Sequence, residues 1–524
     1  MERIWSHDAT LWKKEPEHRR TIENALGWLT IPERMAATVP GLKDLAARLS
    51  PGADRVLVLG MGGSSLAPVV FASSFGRQPG SPRLEVLDST EPSTVLAAAE
   101  SAPPEKTIYV VSSKSGSTLE PNLFFDWFYA LAQKKLGARA GGRFVVITDP
   151  GTPLEELAKS RDVEAMVLAD PAIGGRYSAL SPFGIVPAAL AGIDVAEILR
   201  RAQSVAASCR EASPEENPGA ALGAAVGALA LAGRDKVTFS ASAPVERFGM
   251  WLEQLIAEST GKEGKGVLPV EGEPLGAPDV YGDDRFFVRI GPTQDPSEEP
   301  WKLARLEEQG HPVAWLEISD AFDLGAEMFR WEFGTAVAGA LLEINPFDQP
   351  NVQEAKDRTN EILSGKAEGE APPAPPDAER VSELVDSVRA GDYFAITAYL
   401  APTPENEERL ARIRLPVRDA KRVATTVGFG PRFLHSTGQF HKGGPDTGVF
   451  LQITAAPSAE VPIPGRPWGF ERVIAAQASG DLAALSARGR RVLRAHVRDP
   501  EELGTLADHV AAAVGATEGG KERR

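Results

Sequence analysis

The stretch Val110–Asn122, VVSSKSGSTLEPN, gathers Ser112, Ser113, Ser115, Ser117 and Thr118 around one ammonium group, Lys114, and one glycine, Gly116. It follows the β-branched run TIYVV and leads into PNLFFDWFYALAQ, whose pattern predicts a helix. An ordinary helix cap needs one hydroxyl. Five hydroxyls and a glycine where backbone N–H groups and the helix dipole favour negative charge predict an anion site. The lysine does not stand in GxxxxGK[ST], so a nucleotide-triphosphate loop is not expected. The segment VLVLGMGGSSLAP (56–68) repeats the logic: a strand, a turn carrying Gly63 and Ser64, then a helix. A dinucleotide fingerprint starting at Gly60 and Gly62 would need glycine or alanine at 65, where Ser65 stands. Asp88, at the end of the next strand, is the feature that keeps this alternative open. Two phosphate-type turns in one open parallel sheet would lie together at the carboxyl ends of its strands.

The elements that must position these turns are legible around them. Strand-like runs at 55–60, 83–88, 107–113, 143–149 and 163–170 are separated by helix-length segments. Continuous apolar strands alternating with helices predict a parallel sheet covered on both faces, hence an α/β fold. A second set follows at 236–242, 285–291 and 312–318, with a helix over 323–344. The Pro-, Ala-, Gly- and Glu-rich stretch 364–380 predicts a linker. Beyond it, DYFAITAYLA, GVFLQITAA and RRVLRAHV are expected strands, and PEELGTLADHVAAAVG an amphipathic helix. The expected organisation is a helical arm (1–44), two α/β units (45–200 and 201–363), the linker (364–380) and a C-terminal α/β extension (381–524).

Bulk composition excludes several classes of function. A chain of 524 residues exceeds one core. A formal net charge of −16 argues against nucleic acid or an anionic membrane as partner. The single cysteine, Cys209, cannot form an internal disulfide, and a reducing cytoplasm is the expected compartment. No apolar segment near the start predicts a signal peptide, no run is long enough to span a membrane, and the scattered histidines show no metal spacing.

Five segments in order carry a family resemblance: GMGGSSLAP (60–68), SSKSGSTLEP (112–121), GGRYSALSPFG (174–184), WLEQLIAESTGKEGKG (251–266) and EINPFDQPNVQEAKDRTNEIL (343–363). Together they resemble the phosphoglucose isomerases, built of two sugar-isomerase (SIS) subdomains with mainly parallel sheets. The segment 428–451 looks like the tail of the isomerase half of bacterial transaldolase–phosphoglucose isomerase fusions; no transaldolase half is read here. The resemblance implies aldose–ketose isomerisation of a sugar phosphate through a cis-enediol, with no metal or organic cofactor, in a homodimer. It implies that Glu258 is the base, with Gln254 one helical turn earlier on the same face. It places Arg176, beside Gly174 and Gly175, at the developing enediolate oxygen. It makes Lys356 an aid to ring opening and Gln349 a phosphate contact. Ser113, Lys114, Ser115 and Thr118 match the phosphate loop, with Gly63, Ser64 and Gly175 lining the site. The family often has threonine where Ser115 stands; either hydroxyl donates.

One departure stands out. The family opens the sugar ring with a histidine lent by the neighbouring subunit, and the matching stretch here, APDVYGDDRFFVRI (277–290), has none. His435 or His441 in HSTGQFHKGG, read as a glycine-rich polar loop, or His311, or Lys356 alone or with Arg285, are the candidate replacements; His435 is preferred. Two other readings are weighed. A non-catalytic sugar-phosphate sensor would not need Glu258, Arg176 and Lys356 together. An amidotransferase-type synthase would need a nucleophilic cysteine where the chain reads Met1–Glu2. An isomerase that also accepts mannose 6-phosphate is the nearest rival.

Overall fold

The structure, a computed structural model, describes residues 1–367 and 377–521, the backbone only from 516 on. Most of the predicted linker (364–380) therefore lies outside the described residues.

Three parallel sheets organise the described chain. The first holds β1 (Arg55–Leu59), β2 (Arg83–Leu87), β3 (Thr107–Ser112), β4 (Phe144–Thr148) and β5 (Ala165–Leu168), in the order β2-β1-β3-β4-β5. The second holds β6 (Lys236–Ala241), β7 (Leu268–Val270), β8 (Arg285–Gly291) and β9 (Val313–Glu317), in the order β7-β6-β8-β9. The third holds β10 (Tyr393–Tyr399), β11 (Ala424–Phe429), β12 (Gly448–Ala455) and β13 (Arg491–Val497), in the order β11-β10-β12-β13. Every residue of β1, β3, β4, β8 and β10 is buried, as continuous apolar strands between helix layers require. The α/β class expected from the alternation is the class observed.

Two strands escape the sequence pattern, β7 and β11. Both are edge strands. β7 is only three residues long, and ATTVGF in β11 lacks a run of bulky apolar side chains. An edge strand packs on fewer neighbours and needs less of the signal that marks a central one. The stretch HSTGQFHKGG differs too. It forms the end of a 3-10 turn, Arg432–His435, and a short helix, Gly438–Gly443, whose Gln439, Phe440, His441 and Lys442 are all buried. Its polar residues face buried partners, not water, so polarity misled the reading of a loop.

The first two sheets share one core. Helix Leu324–Leu341 packs into it, and its Phe329 and Phe333 pack on Trp28, which in turn tilts against Tyr177. The N-terminal arm is stitched to this core: Trp5 Nε1 donates to the Cys209 carbonyl at 2.8 Å and Trp12 Nε1 to the Ala336 carbonyl at 2.7 Å. The third sheet has its own core around Phe394, Ile396, Leu451 and Val510. It is fixed against the first unit where Phe470 stacks on Phe124 with ring centroids 5.8 Å apart. It is fixed against the second where Glu273 accepts from both Arg285 and the Thr425 hydroxyl. No helix among the described residues is long and apolar enough to cross a membrane.

Candidate active site

The two anion turns sit side by side, as the switch point of the first sheet requires. In the order β2-β1-β3, connections leave β1 and β3 toward opposite faces and open a crevice at their carboxyl ends. Gly60–Ser65 follows β1; Ser113–Thr118 follows β3. Gly116 has φ of +63°, and a Cβ there would lie 2.6 Å from the Thr152 Cβ, so only glycine makes this turn. The loop is braced from behind by Asn122 Nδ2, which donates to the Gly116 carbonyl at 3.1 Å and the Thr118 carbonyl at 2.9 Å. The hydroxyls of Ser115, Ser117 and Thr118 cluster, with Ser115 Oγ 3.2 Å from Ser117 Oγ and 3.3 Å from Thr118 Oγ1. They stand at the start of the helix Leu119–Leu136, whose free N–H groups favour an anion. Lys114 turns away: its ammonium pairs with Asp149 and donates to the Pro171 carbonyl at 3.2 Å. Its charge is committed within the sheet edge. Ser113 is buried, and its hydroxyl has no protein partner.

The first turn meets the third motif backbone to backbone. A Cβ at Gly63 would lie 2.0 Å from the Gly175 carbonyl oxygen. Ser178 Oγ ties them, donating to Gly175 at 2.6 Å and to Gly63 at 3.3 Å. This contact delivers Arg176, only 3% exposed, to the interior. Its Nη1 donates to Gln349 Oε1 at 2.9 Å and lies 3.4 Å from Glu258 Oε1. Its Nη2 donates to the carbonyls of Pro346 and Asp348. Gln254 and Glu258 share a face of the helix Phe248–Thr260, and Gln254 Nε2 donates to Glu258 Oε2 at 3.1 Å. A buried carboxylate, a guanidinium and two carboxamides from three sequence motifs thus form one cluster. Arg176 Nε and Gln254 Oε1 are buried in it without a protein partner.

His435 joins this cluster to a cavity of about 340 Å³. Its backbone carbonyl accepts from Gln254 Nε2 at 2.7 Å. Its ring Nε2 lies 3.1 Å from Glu120 Oε1, and the same oxygen accepts from Gln477 Nε2 at 2.7 Å. Burial pushes the Glu120 carboxyl up, but the charge and hydrogen bond of His435 outweigh it and hold the carboxyl below its ordinary range. Ser115, Thr118, Lys356 and His435 line the cavity together; Glu258, Arg176 and Gln349 stand outside its lining, beyond His435. His441 is elsewhere: its Nδ1 is 3.0 Å from the Tyr393 hydroxyl, and burial, with Lys442 and Arg490 nearby, holds it well below its ordinary pKa. His311 packs edge-on against Phe287 and Tyr281. Arg285 is sealed in its pair with Glu273. Asp88, which kept a dinucleotide open, is taken by a bidentate bond from Arg432 at 2.7 and 2.8 Å. No group of three or more His, Cys, Asp or Glu among the described residues is arranged to hold a metal.

A family model described as phosphoglucose isomerase matches residues 50–268. A glucose-6-phosphate isomerase of Rubrobacter xylanophilus is 30% identical over 387 residues, covering 64% of this chain and 88% of that protein. The chain belongs to the phosphoglucose isomerase family. A probable glucose-6-phosphate isomerase of Haloquadratum walsbyi is 29% identical over 400 residues, 69% of this chain and 91% of its own. Among solved structures, a hypothetical protein of Thermus thermophilus, TT0462, is 26% identical with a TM-score of 0.59, covering 70% of this chain and 97% of its own. A glucose-6-phosphate isomerase of Chlamydia trachomatis shares the fold at 21% identity and a TM-score of 0.53, covering 70% of this chain and 78% of its own.

Within this cluster and the cavity beside it, sequence reasoning missed four side chains. Glu120 stands in the first turn of its helix, where an acid is ordinary. Gln477 is one polar residue in an alanine-rich helix and gives no signal. Lys442 lines the cavity with its ammonium 2.6 Å from Asp481. Lys262, inside a quoted motif, donates to the Asn345 carbonyl at 2.8 Å and to Asp348 Oδ1 at 2.7 Å. It clamps the loop whose carbonyls also hold Arg176. Burial, with Arg176 nearby, lowers its pKa to about 8.

Proposed function

We propose that this chain interconverts glucose 6-phosphate and fructose 6-phosphate, and that its tail supplies the ring-opening histidine within the same polypeptide. The observation that carries this reading is the convergence of Ser115, Thr118, Lys356 and His435 on one cavity, with Glu258 and Arg176 joined to it through Gln254 and His435. The Ser113–Thr118 loop and the helix start hold the phosphate, several hydrogen bonds of about 1–3 kcal/mol each being needed for a dianion. His435, held by Glu120, gives a proton to the ring oxygen while Lys356 assists. Glu258 then carries a proton between C1 and C2, and Arg176 faces the charge that develops on the enediolate oxygen. No step calls on a metal or organic cofactor.

The wider expectations belong to the same reading. The divisions at 44, 200, 363 and 380 are functional units, with 381–524 related to the tail of the isomerase half of the fusion proteins. The enzyme works in the cytoplasm, as the lone buried Cys209 suits. It is a homodimer on the family's pattern. A coupled assay with fructose 6-phosphate tests the reading, and repeating it with mannose 6-phosphate narrows the substrate. Turnover of fructose 6-phosphate is expected; tight binding without turnover would make the chain a sensor.

A further inference from the structure

Each of the three sheets places its first strand between its second and third, so each has a switch point between first and third strands. In the third sheet this point lies beyond the ends of β10 and β12. It opens into a cavity of about 390 Å³ lined by residues of both strand ends. That volume lies within the range of ligand pockets, roughly 300–1,000 Å³.

We propose that this cavity binds a small uncharged ring compound and that its occupancy tunes the isomerase through His435. Its surface is mainly apolar. Tyr399, Leu400 and Ala455 form the strand side, and Ile474, Ala475 and Ala478 come from one face of the helix Phe470–Ala487. The hydroxyls of Thr454, Ser458 and Ser479 offer edge hydrogen bonds. The charged groups at the rim are engaged by the protein. Glu91 accepts from the Thr94 N–H at 2.8 Å, and Glu471 accepts from the N–H groups of Val461 and Gly469 at 3.1 Å. Arg494 donates to Gln452 Oε1 at 2.6 Å and to the Ala478 carbonyl at 2.7 Å. His496 shares a 2.9 Å hydrogen bond with Thr454, and burial, with Arg494 alongside, lowers its pKa. A phosphorylated ligand does not fit. The strands run out into LAPTP and AAPSA, where Pro402, Pro404 and Pro457 lack N–H donors and no glycine lets the backbone close on an anion.

The cavity wall is also the support of His435. Tyr399 and Ala478 form one apolar cluster with Phe433, with Ile474 and Leu434 packed against it, immediately before His435. The rings of Tyr399 and Phe433 meet edge to face at 5.6 Å. The Tyr399 hydroxyl donates to the Gln477 carbonyl at 3.4 Å, and the Gln477 side chain holds Glu120, the partner of His435. A molecule pressing on Tyr399, Ile474 and Ala478 therefore bears on both elements that orient His435, and differential contact of this kind is what couples two sites. The effect on turnover rests on the role proposed for His435; the binding does not.

The test uses the full chain with indole and benzamide as probes, followed by ligand-observed NMR, beside the cavity-filling variant Ala475→Phe. Ala475 is on the exposed side of its helix, so this variant is expected to fold, which circular dichroism checks. Saturable binding is expected, weakened roughly tenfold or more in A475F. Fructose 6-phosphate turnover should shift by about twofold or more with probe in the wild type and not in the variant. Absence of saturable binding at millimolar probe, or binding that A475F leaves intact, overturns the site. Saturable binding with unchanged turnover overturns the coupling. A chain that binds probe yet turns over no fructose 6-phosphate sinks the isomerase reading and leaves the site standing.

Discussion

The first and third sheets share a strand order and a crevice in the same place, yet the crevices suit different chemistry. After β1 and β3 the chain runs into GMGGSS and SSKSGST, glycines and hydroxyls at helix starts. After β10 and β12 it runs into LAPTP and AAPSA, prolines and alanines. The topology decides that a crevice exists; the turn residues decide whether it offers N–H donors to an anion or apolar surface to a ring. The third unit also places His435 on the cavity that Ser115 and Thr118 line.

The largest effect expected separates holding from chemistry within the first crevice. Glu258→Gln should lower turnover roughly 10²-fold or more while sugar-phosphate affinity stays near wild type. Near-normal turnover would remove Glu258 as the base. Next comes the loan between units: His435→Asn should slow turnover about 10- to 100-fold with little change in KM, and a wild-type rate would return the third unit to a scaffold.

Paired hydroxyl deletions distinguish the two crevices. Ser115→Ala with Thr118→Val should raise the KM for fructose 6-phosphate about tenfold, while Thr454→Val with Ser479→Ala should leave it within about twofold. Equal effects from both pairs would show that the two crevices are not chemically distinct.

The smallest effect concerns a buried group that lines neither cavity. Glu332 is fully buried, neither carboxyl oxygen has a protein partner, and burial pushes its pKa well above the ordinary 4.5. The folded state therefore keeps a proton that the unfolded chain releases. Its stability contribution is full below pH 4.5 and falls as pH rises toward the folded value, by up to about 1.4 kcal/mol per pH unit. Urea unfolding at pH 5 and pH 8 should show a shallower fall in Glu332→Gln. An unchanged slope would mean that Glu332 ionises in the native protein.

The amino-acid sequence by itself determined the α/β class, the central strands, the two anion turns and the five family segments. Each depends on residues close in the chain: an apolar run, a glycine where φ must be positive, hydroxyls at a helix start. Gln254 and Glu258 were legible as a pair because one helical turn separates them. Which histidine reaches the cavity follows from the tertiary structure. His435 and His441 stand six residues apart in the same polar stretch; one meets Glu120 and the other Tyr393. It also turned Lys114 to Asp149 and brought Gln477 to Glu120. These partners lie tens to hundreds of residues apart in the chain. Local pattern carries no record of which distant surface a side chain will meet, because that is settled by how the packed layers register against one another.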